Sequence, residues 1–250
     1  MQTRTPEQLR HCCIPASRPM SQDLISFDLD GTLVDTAPQI AEAANRALES
    51  HGIARRPNAE ITLLIGAGLH ALMRQLLARC FLEQPGLAQT VNLLAVLKSV
   101  DEHCAATSGS MALPYAGCEA ALEALQRAGL KLACVTNKEI RHARRVLQVT
   151  RLEGYFDLVI GGDSLAEKKP HASVLQHAAR TLGVSLARTA HLGDSATDVA
   201  AAHNAGVAAW AVPYGYNAGM PIKDARPDRI FDSLPAVAQH VIRMRQAGAA

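Results

Sequence analysis

Leu24-Ile25-Ser26-Phe27-Asp28-Leu29-Asp30-Gly31-Thr32 is the stretch on which the reading of this chain turns. Its first four residues form a short, mostly apolar run that predicts a buried strand, and Gly31 marks the turn that follows. Two carboxylates two residues apart at the end of a buried strand are costly without a partner, because each is a charge in low dielectric and each repels the other. A hard divalent cation is such a partner. Mg²⁺ takes one or two carboxylates and leaves its remaining positions to water and phosphate oxygens. Gly31 permits a tight turn, so that the amides of Gly31 and Thr32 can face an anion. Asp and Gly also serve helix caps and ordinary turns, and this string alone leaves that reading open.

Working outward, strand-like runs at 24–30, 130–136, 156–160, 189–194 and 207–212 alternate with helical patterns at 119–128, 139–149, 172–182 and 196–205. Such alternation predicts an α/β protein with a parallel sheet. About a hundred residues separate the first two strands, well beyond an ordinary connection. They are rich in Ala and Leu and helical by pattern at 37–51, 58–65, 69–81 and 86–106. A separate helical domain over 36–110 is therefore expected, with Leu113-Pro114-Tyr115-Ala116-Gly117 as the return linker.

Composition bounds the alternatives. With 250 residues, 48% of them hydrophobic, the chain can bury a substantial core. The 25 basic and 23 acidic residues give a formal charge of +2, with no basic stripe or long charge run, so no nucleic-acid partner is expected. Aromatics make up only 4%, which suits helices packed on a sheet better than an all-β fold. Cys12, Cys13, Cys80, Cys104, Cys118 and Cys134 show no zinc-type spacing, and Cys134 lies inside an apolar strand as a small core residue. Reduced thiols in a cytoplasmic protein are the simplest account. No run approaches the apolar length of a membrane span, so no membrane partner is expected. Residues 1–20 have prolines, no periodicity and no continuous apolar segment of the secretory type; they read as a mobile extension, or as upstream sequence with the true start at Met20.

Ligands in open parallel sheets sit beyond the carboxyl ends of the strands. Polar residues collect there in this sequence. The first strand runs into Asp28 and Asp30, and the second ends in Thr136-Asn137. The third is followed by Gly161-Gly162-Asp163 and then Lys168-Lys169-Pro170. The fourth ends in Gly193-Asp194-Ser195, with Asp198 four residues after Asp194.

This ordered set resembles the haloacid dehalogenase-type phosphohydrolases: D-x-D-G-T at 28–32, Thr136 after an apolar strand, Lys169 before Pro, and G-D-S-x-x-D at 193–198. The resemblance runs from about residue 23 to 245, including the helical cap inserted after the first motif. Within the family, Lys168-Lys169-Pro170-His171 and Val212-Pro213-Tyr214-Gly215-Tyr216 look most like phosphoglycolate phosphatases. The resemblance implies a Rossmann-like parallel sheet core in three α/β/α layers, built from 21–35 and 111–250, with an inserted all-helical cap. It implies Asp28 as nucleophile, forming an aspartyl-phosphate, and Asp30 as general acid and then base. Mg²⁺ is implied on Asp28, the backbone carbonyl of Asp30, and Asp194, with Asp198 holding the metal site directly or through water. Lys169 would neutralise Asp28 and the phosphate; Thr136 and the amide of Asn137 would hold phosphate oxygens. An acid at position 30 suits a poor alkoxide leaving group, and so favours phosphate esters over carbon–halogen cleavage.

The cap is expected to close over the site and exclude water. Gly66-Ala67-Gly68 reads as a substrate-facing turn or a plain interhelical turn, with Gly68 and Arg74 the candidate substrate contacts. A carboxylated phosphoester needs a donor for its second anionic group, for which Arg55, Arg56, His70 and Arg74 stand as candidates. The expected activity is Mg²⁺-dependent hydrolysis of a small phosphorylated metabolite, foremost 2-phosphoglycolate, by a monomer or homodimer. A phosphosugar or amino-sugar phosphatase, a phosphosugar mutase and a receiver-like phosphate switch are the competing readings.

Overall fold

A computed structural model describes residues 21–249. The extension expected over 1–20, with Cys12 and Cys13, lies outside the described residues. Six strands form one parallel sheet: β1 (Leu24–Phe27), β4 (Lys131–Val135), β5 (Leu158–Ile160), β6 (Thr189–Gly193), β7 (Ala208–Ala211) and β8 (Arg229–Ile230), in the order β5-β4-β1-β6-β7-β8. Placing β1 between β4 and β6 brings the ends of three strands from distant parts of the chain side by side.

The pleat sends alternate residues to opposite faces. Ile25 and Phe27 join one core with Leu132, Cys134, Leu192 and Trp210. That core is covered by α6 (Cys118–Arg127), α7 (Ile140–Val149) and α10 (Leu234–Ala249). Leu24, Ala133, Val135, Ala209 and Ala211 join the other core, beneath α8 (Ser173–Thr181) and α9 (Ala196–Ala205). The result is the expected α/β/α sandwich.

Five helices lie between the first strand and the return to the sheet: α1 (Ala37–Ser50), α2 (Asn58–Thr62), α3 (Leu69–Glu83), α4 (Leu87–Thr90) and α5 (Leu93–Thr107). They own a separate core in which Ala41, Ala44 and Leu48 of α1 meet Leu72, Met73 and Leu76 of α3 and Val96, Leu97 and Val100 of α5. The chain leaves the sheet domain through β2 (Val34–Asp35) and returns through β3 (Leu113–Pro114), which pair antiparallel. The segment expected as one helix over 86–106 is two. Asn92 breaks it, because its side chain accepts from the amides of Leu94 and Ala95 at 3.0 and 3.2 Å and so caps a new helix.

Candidate active site

Asp28 follows the last residue of β1, and its amide still donates to Leu192 O at 2.9 Å, so the sheet fixes its backbone. Asp194 follows the end of the neighbouring strand β6. Thr32 Oγ1 donates to Asp194 Oδ1 at 3.0 Å, and the Tyr216 amide donates to Oδ2 at 2.7 Å. Room for that carboxylate exists because Gly31 and Gly215 lack side chains: a Cβ on Gly31 would meet Asp194 Oδ2 at 2.5 Å, and one on Gly215 at 2.1 Å. Gly31 also has φ +86°, which glycine adopts at no steric cost.

Lys169 is buried between two carboxylates. Its Nζ lies 2.8 Å from Asp28 Oδ1, an ion pair too oblique for a directed hydrogen bond, and donates to Asp198 Oδ1 at 2.7 Å. Burial opposes its charge, yet Asp198 and Asp28 together hold it above the usual lysine range. Asp198 is fully engaged. Its Oδ1 also faces His191 Nε2 at 3.2 Å, and its Oδ2 accepts from the Ser195 hydroxyl at 2.6 Å and the Ser195 amide at 3.1 Å. Burial would raise its carboxyl, but Lys169 and His191 pull it well below the ordinary range. The Ser195 contacts form a capping box at the start of α9. Asp198 therefore caps α9 and also anchors Lys169.

Oxygens of Asp28, Asp194 and Asp198 lie within 4.8 Å of one another, and all three residues are buried. Burial pushes the Asp28 carboxyl up to about 6, with Lys169 opposing the rise and Asp198 adding to it. Burial, then Asp198 and Asp28, push Asp194 up to about 8. Three carboxylates around one ammonium are short of positive charge, and a hard, oxygen-seeking divalent cation fits that deficit. Asp28 and Asp194 have oxygen lone pairs to offer it, whereas the donors on Asp198 make it the group that steadies Lys169.

Asp30 stands apart from this cluster. Thr36 Oγ1 donates to its Oδ1 at 2.7 Å, and Lys138 Nζ donates to its two oxygens at 3.1 and 3.0 Å. Lys138 is a buried cation that the sequence reading passed over. It directly follows Thr136-Asn137, and the strand-end rule extends naturally to this third position. Thr136 and Asn137 face the same cavity, together with Asp28, Asp30 and Asp194. The Asn137 side chain is a clamp, donating to Gly66 O and Lys169 O at 3.0 Å each.

Two expectations need correction. The Gly31 amide donates to Val34 O at 2.9 Å and the Thr32 amide to Leu29 O at 3.4 Å, while the Thr32 hydroxyl serves Asp194. Their polar groups are spent inside the turn, and neither residue lines the cavity. The amides of Leu29, Asp30 and Asn137 have no hydrogen-bond acceptor among the described residues and so are available to an anion. Arg74 is exposed on α3 and outside the cavity, because α3 turns its Leu69 and Leu72 inward instead. Gly68 does line the cavity, at φ +91° and against Asn137 O. The cap supplies the remaining wall with Ile40, Ile65, Leu69, Leu72 and Cys104.

Comparison with known proteins agrees with this geometry. The family described as haloacid dehalogenase-like hydrolase matches residues 25–212. A phosphoglycolate phosphatase (plasmid) of Cupriavidus necator is 39% identical over 226 residues, covering 90% of this chain and 96% of that one. A phosphoglycolate phosphatase of Psychrobacter arcticus is 34% identical over 225 residues, covering 90% and 97%. The crystal structure of a predicted phosphoglycolate phosphatase from Haemophilus somnus superposes with a TM-score of 0.82 at 29% identity, over 88% of this chain and 97% of that one. With four polar strand ends meeting under a helical cap and a family match across most of its length, this chain belongs to the haloacid dehalogenase-like hydrolases.

Proposed function

We propose that this protein is a Mg²⁺-dependent phosphomonoesterase that works through an aspartyl-phosphate, with 2-phosphoglycolate as its preferred substrate. The observation that carries the reading is the buried Asp28–Lys169–Asp198 chain with Asp194 alongside, open to a cavity that also holds Asp30. The names of the relatives support the substrate. A cytoplasmic setting is proposed as well, supported by four buried cysteines that carry no disulfide.

An anionic nucleophile must approach an anionic ester, so positive charge and fixed donors have to offset the repulsion. Lys169 supplies one charge beside Asp28. The Asp28 and Asp194 carboxylates and the Asp30 carbonyl would hold a divalent cation, which would supply the rest of the charge. The free amides of Leu29, Asp30 and Asn137 and the Thr136 hydroxyl are available to phosphate oxygens. Asp28 forms a bond to phosphorus as the ester P–O bond breaks, and Asp30 gives its proton to the departing alkoxide. A water then attacks the same phosphorus, Asp30 takes its proton, and the Asp28 carboxylate is restored as phosphate leaves. The cap keeps other water out in the interval.

The test is phosphate release from a panel of phosphomonoesters with and without Mg²⁺. Fastest turnover of 2-phosphoglycolate is expected, lost on chelation. A sugar or amino-sugar phosphate as the best substrate would replace the substrate assignment. Phosphate retained on a sugar would indicate a mutase, and one equivalent taken up per chain a switch.

A further inference from the structure

The proposed substrate carries a second anion, and the structure narrows what can receive it. None of the cationic candidates from the sequence lines the cavity. Arg55 pairs with Glu42 and Glu49 at 2.5 and 2.9 Å, and Arg56 with Glu60 and Glu83 at 2.9 and 2.5 Å. His70 faces Asp101 at 2.9 Å, and Arg74 points to solvent. Among the described residues that line the cavity, Lys138 is the one cation.

Lys138 is also placed at the right point along such a substrate. Its ammonium touches both oxygens of Asp30, the group that serves the ester oxygen of the leaving alkoxide. In a phosphorylated 2-hydroxy acid the carboxyl carbon stands two bonds from that ester oxygen. A carboxylate so close to the atom that Asp30 protonates falls beside the ammonium that Asp30 already holds. An ammonium has three N–H donors, and among the described residues Asp30 is the only side-chain partner of this one. The Lys138 side chain is 6% exposed, so little water competes for it. Beyond it stand Ile65, Leu69 and Leu72 of the cap, whose side chains offer a longer or more polar alkyl group no hydrogen bond.

We infer that Lys138 determines substrate specificity by receiving the carboxylate of a small phosphorylated 2-hydroxy acid beside Asp30. The inference rests on the phosphomonoesterase reading above and assigns the recognition of the acid to one side chain. A neutral ester of the same length leaves the ammonium without its second partner. A buried charge pair truncated on one side loses far more than a surface pair does.

The test compares 2-phosphoglycolate with 2-hydroxyethyl phosphate, which has CH₂OH in place of the carboxylate. Wild type is expected to prefer the acid by about a hundredfold in kcat/KM, and Lys138→Met to cut that preference by about thirtyfold or more. Lys138→Arg should recover part of the preference, since it restores the charge. Equal losses on both substrates would overturn the assignment and make Lys138 a prop for Asp30. A wild type indifferent to the carboxylate would instead overturn the substrate reading, and this inference with it. A measurement on unsubstituted protein guards against misfolded variants. Glycolate should shift the NMR signal of the Lys138 ammonium while ethylene glycol does not, and no shift at saturating glycolate would overturn the proposal.

Discussion

At the scale of single residues, the site is a problem of fitting charge into a dry space. Asp28→Asn keeps the shape of the nucleophile and removes its charge. It should reduce phosphate release below about one part in a thousand, as the loss of a covalent nucleophile does. The melting temperature should change little, because Asn relieves a buried charge while it weakens the pair with Lys169. Substantial residual turnover would sink the nucleophile assignment. Gly215→Ala tests the space itself. Its Cβ would lie 2.1 Å from Asp194 Oδ2, so the carboxylate must move or the loop must yield. A loss of about 1–3 kcal/mol in stability is expected from overpacking, with weaker Mg²⁺ binding by calorimetry. Gly154→Ala, where a Cβ meets nothing within 4 Å, should do neither. These residues differ in how far the sequence announced them. Asp28 and Asp194 were legible because charges following apolar strands need a reason, and Lys169 through the resemblance, which singles out the lysine before Pro170. Lys138 was passed over although it stands at the same strand end as Thr136 and Asn137, because nothing local reports that its side chain turns inward to a carboxylate 108 positions away. Gly31 and Thr32 misled in the opposite way. A Gly-Thr turn beside an acid reads as an anion cradle, but its donors close the turn and hold Asp194 instead.

At the scale of elements, the joints between cap and sheet domain depend on a few polar contacts. Tyr216 spans one of them. Its hydroxyl accepts from the amides of Thr36 and Ala37 at 2.8 and 3.0 Å, at the start of α1, and donates to Asp35 Oδ1 at 2.8 Å. Tyr216→Phe should cost about 1–3 kcal/mol in chemical denaturation, because it strands the partly buried Thr36 amide while Ala37 keeps Asp35 Oδ1 at 3.2 Å, with faster amide exchange at 36. A second joint runs from the end of α5 to α7, where Ser108 Oγ lies 3.2 Å from His142 Nδ1. Burial, helped by Arg141 and Lys138, pushes the His142 imidazole down from 6.5 to about 4. Above pH 6.5 the folded and unfolded chains both carry it neutral and it adds no pH dependence. Between 6.5 and about 4 the unfolded chain binds a proton that the folded chain refuses, so stability falls as the pH falls. Removing that group in His142→Gln should flatten the stability–pH profile in this window by about 3 kcal/mol. Parallel profiles for the two proteins would contradict the buried neutral state. The helices that form these joints were visible as apolar periodicity. The ribbon β2–β3 and the edge strand β8 were not, because two residues cannot show a period, and the break at Asn92 hid inside a run that stays helical on both sides.

At the scale of the molecule, two independently packed cores meet across the cavity, and on the proposed function the cap would have to release product after shielding the reaction. The described contacts suit that duty, since they are polar and few. Across the cavity, Gly66 O accepts from Asn137 and Ala67 O accepts from the exposed Lys168 at 2.6 Å. Elsewhere the Gly109 amide donates to Gln39 Oε1 at 2.8 Å, inside the cap's own connection to β3. Among the described residues, no apolar core is shared between the cap cluster and the two sheet clusters. Opening therefore exposes little apolar surface and costs little in hydrophobic free energy. The turn at 66–68 is then the point where closure can be weakened without touching the chemistry. Lys168→Ala removes one exposed contact, for which about 0.2–1 kcal/mol, or at most about fivefold in kcat/KM, is expected. Gly68→Ala is harsher. Its Cβ would stand 3.0 Å from Asn137 O, in a backbone conformation at φ +91° that side chains rarely adopt, so the turn must lift from the sheet domain. It should lower kcat/KM by about tenfold to a hundredfold, with the misplacement of a closing element as the cause. Mg²⁺ affinity should stay at the wild-type value, because Asp28 and Asp194 both stand on the sheet domain. A Gly68→Ala protein with unchanged turnover would mean that the turn does not close the site. One that lost Mg²⁺ binding as well would mean that cap and metal centre are not separable.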